Sequence, residues 1–136
     1  MGKKYRVLSD KNKYSLPKED YLTAIHYALR YPLWIEELRT SADTGKGISY
    51  DREKVQTSGG YDTTAETAIR LAEVSGKVEL IDGIIRNIAP EIENYLRRGV
   101  CYGLTFDQLK AQGMPCERDA YYLRRRHFYY ELSKRI

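Results

Sequence analysis

The chain has 136 residues, 42% hydrophobic and 31% charged, with a net charge of +4, which suits one domain or two small lobes sharing a core and is too apolar for general disorder. No apolar run approaches the roughly 18 residues of a membrane span, and the basic start MGKKYRVLSDKNKYS has no apolar stretch behind it, as a signal peptide would. Two cysteines, Cys101 and Cys116, build no disulfide framework, so the expectation is a reduced, cytoplasmic protein.

Charge is unevenly spread. Residues 1–20 carry six Lys/Arg and three Asp/Glu (+3), residues 21–96 eight and twelve (−4), and residues 97–136 nine and four (+5). The positive ends of the chain favour a polyanion; the plain alternative is a solvated basic face. Thirteen tyrosines are the second anomaly, with Tyr121, Tyr122, Tyr129 and Tyr130 close together.

The first 15 residues lack periodicity, and segment 1–16 is read as mobile. A helix is predicted to open near Leu16-Pro17-Lys18-Glu19-Asp20, where proline and acidic residues suit a first turn. Tyr21, Ile25, Ala28, Leu29, Ile35 and Leu38 recur at helical spacing. Pro32 must kink or divide this helix, expected over about 18–40. The glycine-containing stretch Ser41 to Tyr61 reads as a long loop. Its Gly45-Lys46-Gly47 lacks phosphate-loop spacing and a preceding strand.

The strongest periodicity follows. Thr63 and Glu66 have the spacing of a capping box. Leu71, Val74, Val78, Ile81, Ile85 and Ile88, extended by Ile92 and Tyr95, alternate spacings of 3 and 4. Ala68, Ala72 and Ile84 widen that stripe, and Gly76 and Gly83 are expected to be close-approach positions. This helix, over about Thr64–Ala89, should pair with the first as an antiparallel hairpin. Pro90 starts a new helix that Gly103 ends. Thr105 and Gln108 form a second capping-box pattern, with Phe106 and Leu109 inward, and Gly113-Met114-Pro115 is a stop. A final helix covers about Glu117–Arg135. With no convincing period of two, the fold class is all-α: a helical hairpin (17–95) followed by a helix-turn-helix-like basic unit (96–136).

Enzyme readings fare poorly, and the protein is read as non-enzymatic, with no cofactor and no metal. His26 falls beside Ile25 and Leu29 and reads as a packed core residue. Cys101, Cys116 and His127 lack paired zinc-ligand spacing. No GxSxG or HExxH pattern occurs.

The final helix carries the candidate site. Arg124, Arg125 and Arg126 are consecutive and cannot all face one way. With Ala120, Leu123 and His127 placed inward, Arg118, Tyr121, Tyr122 and Arg125 point outward, flanked by Arg124 and Arg126. Arg118 and Arg125 could then reach base edges and Arg124 or Arg126 clamp phosphates. Lys134 and Arg135 are weaker phosphate partners. Phe128 and Leu132 are expected against the N-terminal helices.

Three stretches stand out: Val55–Asp62 with Thr64–Leu71, Ile88–Glu93, and Leu104–Pro115 continuing to Tyr121-Tyr122-Leu123-Arg124-Arg125-Arg126. In that order they resemble small phage-encoded transcriptional regulators of the RinA/ArpU type, whose C-terminal part is similar to sigma-factor region 4. Together they cover roughly 80 residues, and their order and spacing carry the likeness. One departure is Asp119, where Gly113 and the usual helix-turn-helix register would place an apolar residue. The resemblance implies duplex DNA as partner and a role in activating late phage genes. The expected protein is thus a phage or prophage DNA-binding regulator, a symmetric homodimer with a hairpin for self-association or RNA polymerase contact and no membrane partner. The rivals are a phage-encoded inhibitor or adaptor whose basic helix binds an acidic protein surface, and a packaging or structural accessory protein.

Overall fold

A computed structural model describes the backbone of residues 13–51 and 58–136, and the side chains of 13–41 and 64–136. The expected mobile segment lies largely outside the described residues. The secondary structure among the described residues is helical: α1 (Lys18–Ala28), α2 (Tyr31–Asp51), α3 (Ser58–Ile88), α4 (Glu93–Tyr102), α5 (Phe106–Ala111) and α6 (Arg118–Ser133), with a 3-10 turn over Pro90–Ile92 between α3 and α4. The all-α expectation holds. Among the described residues no helix is long and apolar enough to cross a membrane.

Local chemistry explains most boundaries. α1 follows Pro17, and Glu19 and Asp20 sit in its first turn at the positive end of the dipole. The first helix is divided rather than bent. It closes as the Arg30 N–H donates to the Tyr27 carbonyl at 3.1 Å. α2 then opens at Tyr31 with Pro32 in its first turn, where a missing N–H costs nothing. Pro90 likewise opens the 3-10 turn. Gly103 ends α4 in the left-handed region at φ 75°, which a side chain would strain. The α5 capping box is complete: the Gln108 N–H donates to Thr105 Oγ1 at 3.2 Å, and the Thr105 N–H donates to Gln108 Oε1 at 2.8 Å. Gly113, at φ 97°, makes the following turn.

Two expectations about the middle of the chain are corrected. The 41–61 stretch is largely helical, since α2 runs to Asp51 and α3 starts at Ser58. Thr63 therefore lies inside α3 and is not its N-cap. Propensity is a weak prior, and Gly59 and Gly60 sit within the helix.

The chain forms two compact units, a different division from the blocks 17–95 and 96–136. One contains residues 32–80 and the other the residues on either side. In the 32–80 unit, α2 and α3 run antiparallel, as expected. Arg70 donates twice to the Glu37 carboxylate, at 2.8 and 3.2 Å, and Lys77 Nζ lies 5.3 Å from the Trp34 ring centroid. Trp34, Val74 and Val78 are buried there. Ala68 and Ala72 are exposed and do not widen the buried stripe.

In the other unit α1 packs Tyr21, Ala24, Ile25 and Ala28 inward. They join a core holding Ile81, Ile84, Ile85, Ile92, Leu96, Val100, Leu109, Met114, Phe128 and Leu132. His26 is exposed, a correction to its core reading. Gly76 and Gly83 leave open space where a Cβ would stand, so neither is a close-approach position. The close approach falls at Gly99, where an added Cβ would overlap Tyr121 Oη.

Candidate nucleic-acid interface

The basic unit rests on α4, α5 and α6. α6 buries Tyr121, Phe128, Tyr129 and Leu132. These residues define its inner face, which reverses the expected orientation at several positions. Tyr121 is 1% exposed, whereas Ala120 is exposed and Leu123 is 44% exposed. A tyrosine ring is a large apolar body with one polar tip, so it fills a core as readily as leucine. Asp119 is exposed too, and the interior position is taken two residues later by Tyr121.

Arg125 is corrected with that face. It lies four residues after Tyr121 and four before Tyr129, and therefore turns inward. It is half-buried, with its guanidinium 5.2 Å from the Tyr122 centroid and 5.8 Å from that of Tyr129. Burial opposes its charge, but the phenols of Tyr129, Tyr21 and Tyr121 outweigh burial and raise its pKa. Tyr21 meets Tyr129 edge-on at 5.6 Å, tying α1 to α6. Burial pushes the Tyr121 phenol up to about 12, opposed by the Arg125 charge. Tyr121 Oη has no hydrogen-bond partner among the described residues.

Arg124 serves the fold. Its guanidinium donates to the Ile88 carbonyl at the end of α3 and pairs with Glu91 at 2.6 Å. A cation there satisfies a helix-terminal carbonyl and the negative end of the dipole. A second internal network surrounds Arg97. It pairs with Asp82 and Glu93, each at 2.8 Å, while the Tyr31 hydroxyl donates to Asp82 at 2.9 Å. Hydrogen bonding from Arg97 holds the Glu93 carboxyl below the usual range. Sequence reading singled out none of these partners.

Three site residues lie along one flank of α6, beside its buried face. Arg118 is exposed, with its guanidinium 5.0 Å from the Phe106 centroid and 5.8 Å from that of Tyr122. Its carboxylate neighbour, Asp107, is 3.8 Å away and itself solvent-facing. Tyr122 and Arg126 follow at steps of four, both half-exposed, and Arg126 pairs with no described residue. Lys134 and Arg135 approach Glu131 at 3.7 and 3.6 Å. The structure thus groups Arg118, Tyr122 and Arg126 along one strip and withdraws Arg124 and Arg125 into internal contacts.

The cysteines offer no activated nucleophile. Burial pushes the thiols of Cys101 and Cys116 up, whereas reactive thiols are depressed. The chain matches no protein-family model, no curated protein and no solved structure.

Proposed function

We propose that this chain is a phage or prophage DNA-binding transcriptional regulator, non-enzymatic, that contacts duplex DNA through the Arg118–Tyr122–Arg126 flank of α6. The observation that carries the reading is the strip itself. Arg118, Tyr122 and Arg126 run along one flank of a helix, at steps of four, in a segment of net charge +5, nine cations against four acids. The capped α5 and the turn at Gly113 precede it, in the order of a helix-turn-helix unit. The Arg118 guanidinium lies near the Phe106 and Tyr122 rings, and a guanidinium is suited to a planar acceptor pair. In this reading Arg118 reads a base edge, Arg126 and Tyr122 contact phosphate, and Lys134 and Arg135 assist at longer range. The 32–80 unit serves self-association, with RNA polymerase as its other partner. The resemblance to RinA/ArpU-type regulators points the same way.

Titration of the full chain against random duplex DNA at several salt concentrations tests the reading. The expected result is affinity that falls steeply with salt. Arg126→Ala should lower the log–log slope by about 1. Arg118→Ala should cost about 1–3 kcal/mol on a selected site and less on random DNA. Light scattering should report a dimer. Absence of salt-sensitive binding to any duplex would overturn the reading and favour the inhibitor or adaptor alternative.

A further inference from the structure

The start of α6 lies beside the start of α5, and together they bring a cation and a carboxylate side by side. Arg118 opens α6, and Asp107 sits in the first turn of α5, behind the Thr105 cap. Arg118 Nη2 is 3.8 Å from Asp107 Oδ1. The same guanidinium lies 5.0 Å from the Phe106 ring centroid, and Phe106 is half-buried, 5.8 Å from the ring of the buried Tyr121. The pair is therefore set on packed aromatic rings, while its own side chains, 59% and 87% exposed, are open to a ligand.

An ion pair this exposed adds little to stability, so its interest lies in what it presents. Three exposed carboxylates, Asp107, Glu117 and Asp119, lie next to Arg118 in space or in sequence. Beyond Asp119 the acid of α6 is Glu131 alone, against Arg126 and the cations that follow. Phosphate is disfavoured at the acid-rich end. A base edge has no net charge, and it accommodates a carboxylate wherever it offers an amine. Guanine presents two acceptors, N7 and O6, which suit the paired N–H groups of a guanidinium, and the cytosine of the same pair presents its N4 amine beside them. An acceptor next to a guanidinium thus matches the G·C edge. A T·A pair sets an amine beside the single acceptor O4 and leaves one guanidinium N–H without a partner. A carboxylate docked with no amine opposite it loses its water for nothing, which penalises the other sequences.

We propose that Arg118 and Asp107 together read one G·C base pair in the major groove, with Arg118 donating to guanine N7 and O6 and Asp107 accepting from the cytosine N4 amine. This rests on the DNA reading of α6. It divides the flank into a base-reading end at Arg118 and a phosphate-contacting end at Arg126.

The test lets the full chain select its site from duplexes with a randomised segment, with circular dichroism confirming that each variant is folded. Titrations at one salt concentration then compare wild type, Arg118→Ala and Asp107→Ala on the selected duplex, on duplexes with each base pair replaced in turn, and on random duplex. The expected result is one G·C pair whose replacement by A·T costs wild type about 5- to 140-fold in affinity. Arg118→Ala should lose that preference. Asp107→Ala should lower it several-fold at that pair alone, yet bind random duplex more tightly than wild type, because a carboxylate facing a polyanion is gone. A general structural defect would instead weaken binding to every duplex together. A preference other than G·C at the pair where Arg118→Ala acts, or an unchanged preference in Asp107→Ala, overturns the proposal and leaves the α6 reading standing. If wild type shows no salt-sensitive binding to any duplex, the α6 reading fails and this one fails with it.

Discussion

The tightest contact of the basic unit, between Gly99 in α4 and Tyr121 in α6, makes a quantitative prediction. A Cβ at Gly99 would overlap Tyr121 Oη and lie 3.3 Å from both Tyr121 Cζ and Leu109 Cδ1. Alanine is the better helix former by about 1 kcal/mol, so an unobstructed site would be stabilised by the change. The obstructing ring is 1% exposed and cannot swing into solvent. Overpacking of this kind costs about 1–3 kcal/mol, so Gly99→Ala should destabilise by up to about 2 kcal/mol after the propensity gain. Tyr121→Phe removes the overlapping oxygen. Because that hydroxyl is buried without a hydrogen-bond partner among the described residues, its loss should be neutral or stabilising. The double variant leaves the alanine methyl against a ring carbon and should recover the helix propensity. The coupling should therefore be about 2 kcal/mol. Urea denaturation of the four proteins measures it, provided the m-value is unchanged. Equal losses from Gly99→Ala in both backgrounds would refute the argument. So would a loss above about 1 kcal/mol from Tyr121→Phe alone, which would reveal a hydrogen bond at that hydroxyl.

Three further outcomes follow from the core and its ion pairs. Ile81 is 0% exposed, and Ile81→Ala should cost about 2–5 kcal/mol in the same assay; parent-like unfolding would show that the site does not face a packed core. The Glu93 pKa is depressed in the folded state, so its stabilisation is complete above the unfolded value of about 4.3 and is lost as pH falls through the lower folded value. Glu93→Gln should flatten the acid limb of stability there, and an unchanged limb would refute the assignment. Arg124→Ala should lower the melting midpoint, at about 1 kcal/mol, mostly from the Ile88 carbonyl because the Glu91 pair is partly solvent-screened. Arg126→Ala should not, and equal melting of the two variants would remove the structural role given to Arg124.

What the sequence disclosed was chiefly what neighbouring residues determine. The Thr105–Gln108 box and the stops at Gly103 and Gly113 involve atoms a few positions apart, and each was legible. So was the 3-4 seam, because Val74, Val78, Ile81 and Ile85 share a helix face whatever covers them. Long-range contacts were not legible. Nothing near Arg124 in the sequence announces a carbonyl 36 residues earlier. Nothing near Gly99 points to Tyr121. The orientation of α6 failed for a different reason, since tyrosine was counted with the polar residues. Counted as core, Tyr121, Phe128, Tyr129 and Leu132 define one face by spacing alone, and Arg125 falls on it.

That face changes what the charge of the segment means. Net charge counts every cation in residues 97–136, but counterion release counts only those that reach a phosphate. Arg97 is committed to Asp82 and Glu93, Arg124 to Glu91 and the Ile88 carbonyl, and Arg125 to a surround of tyrosines. Arg98 donates to Gln112 Oε1 at 3.0 Å and lies over Tyr95. Arg118 and Arg126 on the flank of α6, with Lys134 and Arg135 beyond them, are then the cations of α6 and its end best placed to meet a duplex. A salt slope larger than those four can supply must come from elsewhere in the chain. The other concentration of positive charge is residues 1–20, at net +3.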